Sequence, residues 1–417
     1  MEVRLLNVIG FLIIGYVVFF PTYLGGIDLF VGQKILYVSF PCILMLYTAC
    51  HIRRKLCVDK IAFLLLLCFL VYLWTIVSKL DFIEVRIILA HFRYLIYFFV
   101  YLCAFNLGVR MHLGIGYYHS FIRTLSVMLL GFIFLQLIAP SLVMSAGFTN
   151  RPLINWLGIN IGGPLVWSYA YAFIVVPCVF SMLWLAIRGQ LTKRWGAILI
   201  LLLLTIALSQ SKAAYLSYFV LLLIVLSIGV VCGSTRNSLF IFIMMLMFAV
   251  SCGIYIYENI DDFGNISRFF DGIYGTGVDE STQTRLKQLS NLHFALENNL
   301  MLGYPIIYEV IENAYGYYVY NYGVVGLTLY LILFSLISWK SINVFKYCHF
   351  EMQNIKAEAI SIGILCMVIS VFIFSLGSAP IDGHKTSFFF WSLLGLYFGS
   401  VRKIRGETYA SRVVSDR

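Results

Sequence analysis

Long apolar blocks, separated by short polar stretches, run along almost the whole chain. Most of these blocks are about 17 to 22 residues long, which is the length that an α-helix needs to cross a hydrocarbon layer of about 30 Å. A helix also satisfies its own backbone hydrogen bonds, which lipid cannot do. We therefore predict twelve membrane-spanning helices, near residues 5–24, 33–50, 61–78, 87–106, 119–138, 165–186, 196–208, 213–231, 239–257, 319–338, 359–377 and 386–400. Only residues 209–212 separate the seventh and eighth, so a single bent hairpin is an alternative for that pair.

Composition predicts the same fold class. Of the 417 residues, 61% are hydrophobic and 12% are charged, whereas soluble domains are about half apolar and a quarter charged. A water-soluble fold cannot hide that much apolar surface. The sequence thus predicts an all-α, polytopic integral membrane protein that forms a single transmembrane domain over residues 1–417.

The distribution of positive charge predicts the orientation. With the N-terminus in the cytoplasm, roughly two thirds of the 29 Lys and Arg residues fall on the inner side, as the positive-inside rule requires. Both termini are then cytoplasmic, and residues 258–318 form one long periplasmic loop that contains short helices. The net charge of +10 records this topology and gives no support to nucleic-acid binding.

Cysteine and histidine positions give no indication of a metal or of another cofactor. The ten cysteines lie within predicted spans or on the inner side, and no Cys or His cluster has the spacing of metal ligands. We therefore expect no metal, no cofactor and no disulfide bond.

The long periplasmic loop contains an amphipathic run. Apolar residues recur at helical spacing from Leu286 to Leu296, which predicts a helix at the membrane surface. Arg285 stands at the start of this run, where the helix dipole and the guanidinium together favour an anion such as a lipid-linked pyrophosphate. The alternative is that Arg285 is an interfacial anchor.

The residues after Arg285 resemble the signature of the O-antigen polymerase and ligase superfamily. The stretch Thr284–Pro305 has an Arg, an amphipathic run and then an Asn-to-Gly element, Asn299–Gly303. Glu312-Asn313-Ala314-Tyr315 and Gly323-Val324-Val325-Gly326 follow it, and they resemble the family's His-Asn-x-Tyr and Gly-x-x-Gly.

Two further elements are similar to parts of that family. Leu208–Ala214 (LSQSKAA) resembles the family's Ser-x-Ser-Arg-Gly turn between two spans. Residues 147–151, with Gly162-Gly163-Pro164 beyond them, are similar to its shorter outer loop. The resemblance covers the topology of the whole chain and the motifs over about residues 205–335.

The resemblance implies a metal-independent glycosyltransferase in the bacterial inner membrane. Such an enzyme joins oligosaccharide repeat units carried on undecaprenyl diphosphate at the outer leaflet, and it needs no nucleotide sugar. A sugar hydroxyl of the acceptor attacks the anomeric carbon of the donor, and the lipid diphosphate leaves. The expected partners are this lipid-linked oligosaccharide and membrane lipid, with a chain-length regulator protein as a further partner that the resemblance allows.

Two departures from the family pattern guide the choice within the superfamily. Lys212 stands where Arg is usual, which keeps the charge but loses the bidentate fork. Glu312 stands where His is frequent, and the ligase branch is thought to depend on that His. The resemblance therefore favours a polymerase of the Wzy type over a ligase.

The expected site combines cations with one carboxylate. Arg285 and Glu312 are the expected catalytic residues, with Arg285 on the leaving diphosphate and Glu312 orienting the acceptor hydroxyl. The expected substrate-binding residues are Lys212, Arg151, Arg93, Asn313 and Tyr315.

Three of the expected substrate-binding residues also have a structural alternative. Arg93 is an intramembrane cation that Asp81 or Glu84 would neutralise, and Asn313 is a helix-capping residue. Tyr315 and the neighbouring tyrosines are helix-end anchors in the membrane interface.

A transporter, such as a flippase for the same lipid-linked units, is the alternative from another functional class. Twelve spans and outward-facing cations suit it. However, the chain shows no duplicated halves, and its polar residues are concentrated on one face of the membrane instead of at the midplane.

Overall fold

The computed structural model describes residues 12–23, 31–52, 56–78, 91–110, 114–149, 154–155, 158–159, 161–264, 266–267, 280–303, 311–381 and 383–415. Helices make up almost all of the regular structure in these ranges, which confirms the helical fold class. The α-helices are α1 (Val31–His51), α2 (Lys60–Val77), α3 (Arg93–Arg110), α4 (Ile115–Ile138), α5 (Pro140–Ser145), α6 (Ser168–Ile187), α7 (Lys193–Ala207), α8 (Lys212–Val231), α9 (Thr235–Glu258), α10 (Glu280–Asn299), α11 (Ala314–Lys346), α12 (Ile355–Phe374) and α13 (His384–Ser415).

Short elements connect these helices. Two π-helical segments and two 3₁₀ turns lie at Leu12–Val18, Tyr347–Glu351, Gly163–Leu165 and Ile260–Asp262. One small antiparallel hairpin, β1 (Ile154–Asn155) and β2 (Gly158–Ile159), pairs Ile154 with Ile159. The sequence analysis did not predict this hairpin, because two residues per strand give no alternating pattern to detect.

Eight helices among the described residues are long and apolar enough to cross a membrane, so the chain is a multi-pass membrane protein. They are Val31–His51, Lys60–Val77, Gly116–Ile138, Ser168–Ile187, Lys212–Val231, Thr235–Glu258, Ala314–Glu351 and Ile355–Phe374. Each corresponds to one predicted span. The other four predicted spans coincide with helices that are shorter or more polar, at Leu12–Val18, Arg93–Arg110, Lys193–Ala207 and His384–Ser415.

The predicted seventh and eighth spans coincide with two separate helices joined by a tight turn. α7 ends at Ala207 and α8 begins at Lys212. Between them Gln210 adopts a left-handed backbone with φ of +52°, which a continuous right-handed helix does not allow.

The centre of the fold is formed by α6 and α12. In the most apolar 18-residue stretch of α6, 94% of the residues are buried, and in that of α12, 83% are buried. In the corresponding stretch of α9 no residue is buried. The two central helices approach closely because α12 carries a glycine at their crossing. A Cβ built on Gly363 would lie 2.6 Å from the Pro177 carbonyl oxygen of α6. Small residues at such crossings are typical of helix packing in membranes.

A second close helix pair is formed by α3 and α13. A Cβ built on Gly399 would lie 2.1 Å from the Phe105 carbonyl oxygen, and one on Gly108 would lie 2.3 Å from the Leu396 carbonyl oxygen. Each helix thus supplies a glycine where the other backbone passes. This pair holds α3, and with it Arg93, beside the last helix.

A buried carboxylate ties α12 to α6 at one end of the bundle. Glu358 lies 3.5 Å from the Nε of Arg188 and 3.2 Å from the Nδ1 of His349. The indole nitrogen of Trp184 donates to the same carboxylate over 3.1 Å.

Candidate functional site

The Asn-to-Gly and Gly-x-x-Gly elements form one backbone junction. Gly323 interrupts α11 with φ of 65° and ψ of −163°, a conformation that is essentially restricted to glycine. This break frees backbone amides of the helix. Val324 donates to the Leu300 carbonyl over 3.0 Å, and Val325 donates to the Met301 carbonyl over 3.3 Å. The segment after α10 is therefore fixed to α11 by main-chain hydrogen bonds.

Glycine is required on both sides of this junction. A Cβ built on Gly303, whose φ is +70°, would lie 2.5 Å from the Tyr320 carbonyl oxygen. A Cβ built on Gly323 would lie 2.2 Å from the Met301 carbonyl oxygen. The turn itself is set by Asn299, whose side-chain oxygen accepts from Leu302 over 3.0 Å. The two sequence elements are thus two halves of one structure.

Helix α10 also contacts the first residues of α11 along its side. The Gln288 side-chain oxygen accepts the Glu312 amide over 3.3 Å. Leu292 packs against the buried pair Ile311 and Tyr320. The predicted surface helix is therefore present and is docked on the segment that carries Glu312.

The two expected catalytic residues belong to these docked segments. Arg285 lies in α10, about one turn before Gln288, and its side chain lies outside the described residues. Glu312 is exposed and immediately precedes Asn313, the residue that caps α11. Arg151 lies outside the described residues.

The capping interpretation of Asn313 is confirmed. Its side-chain oxygen accepts the Gly316 amide over 3.1 Å, which satisfies one of the orphan amides at the start of α11. Its side-chain nitrogen donates to the Leu376 carbonyl over 3.1 Å. In the next residue, the Ala314 amide donates to the Ser375 carbonyl over 3.0 Å. Asn313 therefore fixes the start of α11 to the loop after α12.

The side chain of Tyr315 is also used structurally. Its hydroxyl donates to the Phe372 carbonyl of α12 over 2.7 Å. Three of the neighbouring tyrosines, Tyr318, Tyr320 and Tyr322, are buried. The interpretation of these three as helix-end anchors in the membrane interface is wrong. The reason is that α11 faces other helices along this stretch and not lipid.

A cluster of stacked tyrosines surrounds the N-terminal half of α11. The Tyr72 and Tyr322 rings stack with centroids 4.0 Å apart, and the Tyr318 and Tyr330 rings stack 4.2 Å apart. The Tyr94 and Tyr318 hydroxyls are hydrogen-bonded to each other. Offset stacking of this kind adds about 0.5–1.5 kcal/mol per pair beyond area burial. The cluster fixes α2 and α3 against the helix that carries the site.

Arg93 joins this cluster from α3. Its Nη2 donates to the Tyr317 hydroxyl over 2.5 Å, and its guanidinium carbon lies 4.9 Å from the centroid of the Tyr317 ring. Asp81 and Glu84, the carboxylates considered for it from the sequence, lie outside the described residues. Within the described part of the chain, Arg93 therefore lies beside the first turn of α11. Its partner there, Tyr317, is four residues beyond Asn313.

The turn that carries Lys212 lies beside the same loop after α12. Ser211 caps α8 by accepting the Ala214 amide over 3.4 Å, and Lys212 is the exposed first residue of the helix. A Cβ built on Gly377 would lie 3.9 Å from the Cβ of Ala213. Because Asn313 binds Leu376 in this loop, the Lys212 turn and the start of α11 flank the loop together.

An apolar cavity of about 520 Å³ opens next to this turn, between α6, α7, α8 and α9. Ala207 and Tyr215, which flank the turn, belong to its lining, and the Tyr215 hydroxyl donates to the Ala207 carbonyl. On the α9 side the lining includes Cys252 and Gly253. The cavity lies on the side of α9, a helix whose most apolar stretch contains no buried residue.

Lys385 is a buried cation whose contact sequence reasoning missed. Its side chain is only 4% exposed, and its Nζ donates to the Pro164 carbonyl over 2.8 Å. Pro164 belongs to Gly162-Gly163-Pro164, so Lys385 connects α13 to the element that resembles the family's shorter outer loop. The two residues are 221 positions apart, and nothing in the local sequence of either one indicates the contact.

Comparison with protein-family models and with curated proteins finds no match to this chain.

The arrangement brings a defined subset of the expected residues together. Helix α10, which carries Arg285, and the exposed Glu312 lie at the first residues of α11. The Lys212 turn lies beside the loop after α12 that binds these residues. The Lys212 turn lies next to an apolar cavity, and a cation beside such a cavity suits a ligand that has an anionic head and a long apolar chain.

Proposed function

We propose that the protein is a polysaccharide polymerase of the Wzy type. It joins oligosaccharide repeat units carried on undecaprenyl diphosphate, on the outer leaflet of the bacterial inner membrane. The observation that carries this proposal is the junction between residues 299–303 and 323–326, which unites two elements that resemble parts of one family signature.

The contacts around α11 support a shared site. Asn313 links the start of α11 to Leu376, and the Lys212 turn contacts the same loop through Ala213. Each family-like element in residues 205–335 therefore touches α11 or its immediate support.

The proposed reaction forms one glycosidic bond and breaks one sugar–phosphate bond. The acceptor hydroxyl attacks the anomeric carbon of the donor, and its proton passes to the Glu312 carboxylate. The undecaprenyl diphosphate leaves with the bonding electrons, and the cations Arg285 and Lys212 stabilise its charge. Fixed cations at a developing negative charge lower the barrier most where water is excluded.

The apolar cavity beside the Lys212 turn accommodates the isoprenoid chain in this proposal. A chain that enters from the bilayer between α8 and α9 would place its diphosphate near the turn. The cavity lining, which includes Tyr215 and Gly253, is apolar. The isoprenoid chain therefore moves from one apolar environment, the bilayer, to another. Binding specificity must then come from the headgroup and sugar contacts.

The proposed topology has twelve spans with both termini in the cytoplasm. Helical segments overlap each of the twelve predicted positions within the described residues, including the four that are shorter or more polar. In this orientation residues 258–318 face the periplasm, where the lipid-linked donor is presented.

Deletion of the gene in its host tests the proposed function. We expect surface glycans that carry single repeat units, with long chains absent, and restoration of long chains by the plasmid-borne gene. Accumulation of repeat units on the inner leaflet would instead indicate a flippase. Long chains that remain on the lipid carrier would indicate a ligase.

A further inference from the structure

A second cavity, of about 440 Å³, lies among α2, α3, α11 and α13, away from the site described above. Its lining carries five charged residues: Asp59, Lys60, Lys340, Arg402 and Arg405. Four of these are cations, so the lining residues have a net charge of +3. The polymerase proposal assigns no role to this cavity.

The single carboxylate of the cavity is already saturated by protein contacts. One oxygen of Asp59 caps α2 by accepting the Ala62 amide over 2.9 Å. The other accepts from the Tyr101 hydroxyl over 2.8 Å and from the Lys340 Nζ over 2.5 Å. Asp59 therefore neutralises Lys340 and leaves little capacity for a further cation.

Among the described residues, three of the cavity's cations have no carboxylate partner. Within the described part of the chain, no carboxylate lies at ion-pair distance from Lys60, Arg402 or Arg405. Arg405 instead donates to the Asn343 carbonyl over 2.7 Å. Arg402 and Arg405 also lie close enough to Lys340 for their charges to oppose it. Cations held together in this way strongly favour a bound anion.

The cavity has apolar walls beside its cations. Ile61, Phe105, Leu336 and Phe398 line it together with the charged groups. Trp339, a further lining residue, is 64% exposed, as is typical of aromatic residues at the level of lipid headgroups. A free inorganic anion needs only the cations. A phospholipid needs cations for its headgroup and an apolar wall for its acyl chains.

We propose that this cavity is a binding site for an anionic phospholipid. Its phosphate lies among Lys60, Arg402 and Arg405, and an acyl chain runs along Leu336 and Trp339. The positive-inside prediction assigns these cations to the cytoplasmic face. Basic pockets between membrane helices on that face are suited to anionic headgroups. This proposal does not depend on the polymerase proposal.

A lipid titration of the purified full-length protein tests this site. The protein in mild detergent is titrated with phosphatidylglycerol, with phosphatidylcholine and with inorganic phosphate, and thermal unfolding reports binding. We expect stabilisation by phosphatidylglycerol alone. In the K60Q/R402Q variant its apparent affinity should fall about thirtyfold, since each cation near a membrane surface contributes about 1 kcal/mol. Both side chains are exposed, so their replacement leaves the fold intact.

The K193Q/R194Q variant is a matched control. It also removes one Lys and one Arg, both exposed, and Lys193 begins α7 as Lys60 begins α2. Its affinity for phosphatidylglycerol should equal that of the wild type. An equal loss in the control, or equal stabilisation by phosphatidylcholine, would overturn the site. Equal stabilisation by inorganic phosphate would reduce it to an anion site and overturn the lipid assignment.

Discussion

Gly303 and Gly323 meet backbone to backbone: a Cβ built on Gly303 would lie 2.7 Å from the Gly323 amide nitrogen. The Val324 and Val325 amides close the contact on the Leu300 and Met301 carbonyls. This junction couples the surface helix α10 to the membrane helix α11. The position of Arg285 relative to Glu312 thus depends on two glycines that carry no chemistry themselves.

Replacing Gly323 by Ala should therefore destabilise the protein. An Ala side chain would enter a backbone conformation essentially restricted to glycine and would overlap the Met301 carbonyl oxygen. We expect a loss of about 1–3 kcal/mol of unfolding free energy, measured by unfolding in detergent. Gly131→Ala in α4 is the control, since its Cβ would meet no atom within 4 Å. Equal stability of the two variants would disprove the strained junction.

Arg285 should be required for polymerisation, whereas Lys287 should not. Removal of a cation from the leaving diphosphate raises the barrier by about 2.7–4 kcal/mol if it acts as one oxyanion donor does. In Arg285→Ala, glycan chains should shorten to one or a few units at unchanged protein level, and Arg285→Lys should recover only part of their length. Normal long chains in Arg285→Ala would make Arg285 an interfacial anchor. Lys287→Ala, two residues further along the same helix, supplies the matched comparison.

The apolar cavity between α6, α7, α8 and α9 should accept a larger side chain without unfolding. The filled cavity should then bind the donor poorly. Gly253 lines it, and a Cβ there would meet no atom within 4 Å. Gly253→Leu should therefore fold and should raise KM about 5- to 150-fold with kcat preserved, because overpacking costs about 1–3 kcal/mol. Kinetics with the lipid-linked donor measure this.

The same substitution at Gly131 provides the control for the filled cavity. Gly131 is an exposed glycine of another membrane helix and has open space around it, but it does not line the cavity. Gly131→Leu should keep the wild-type KM. An unchanged KM in Gly253→Leu would place the isoprenoid chain elsewhere.

The fold was largely predictable because membrane helices need long apolar blocks. Block length alone located the helices that became α2, α8 and α12. It also predicted the turn at Lys212, since a polar tetrapeptide cannot remain in lipid. Helix α5 (Pro140–Ser145) was not predicted, because its six residues are too short for a periodic pattern.

The site was only partly predictable because its contacts span large sequence distances. The capping role of Asn313 is local and was predicted correctly. The contact between Arg93 and Tyr317 joins residues 224 positions apart, and the Tyr72–Tyr322 stack is similarly distant. One sequence gives no information about such pairs. The tyrosines of α11 were misinterpreted for this reason.

The predicted orientation is testable by reporter fusions. Fusions after residues 55, 190 and 350 should report the cytoplasm, and one after residue 275 should report the periplasm, because Lys and Arg are concentrated on the inner side. Paired alkaline phosphatase and fluorescent reporters give opposite signals on the two sides. A cytoplasmic signal at residue 275 would exclude the site assignment, since the donor lies on the outer face.

Reconstitution tests the central claim most directly. Purified protein in liposomes would receive the undecaprenyl-diphosphate-linked repeat unit of its host, and the products would be separated by chain length. We predict a ladder of polymer and one released undecaprenyl diphosphate per bond formed. The account would be contradicted if donor units crossed the bilayer with no bond formed, or reacted only when a separate surface acceptor lipid was supplied.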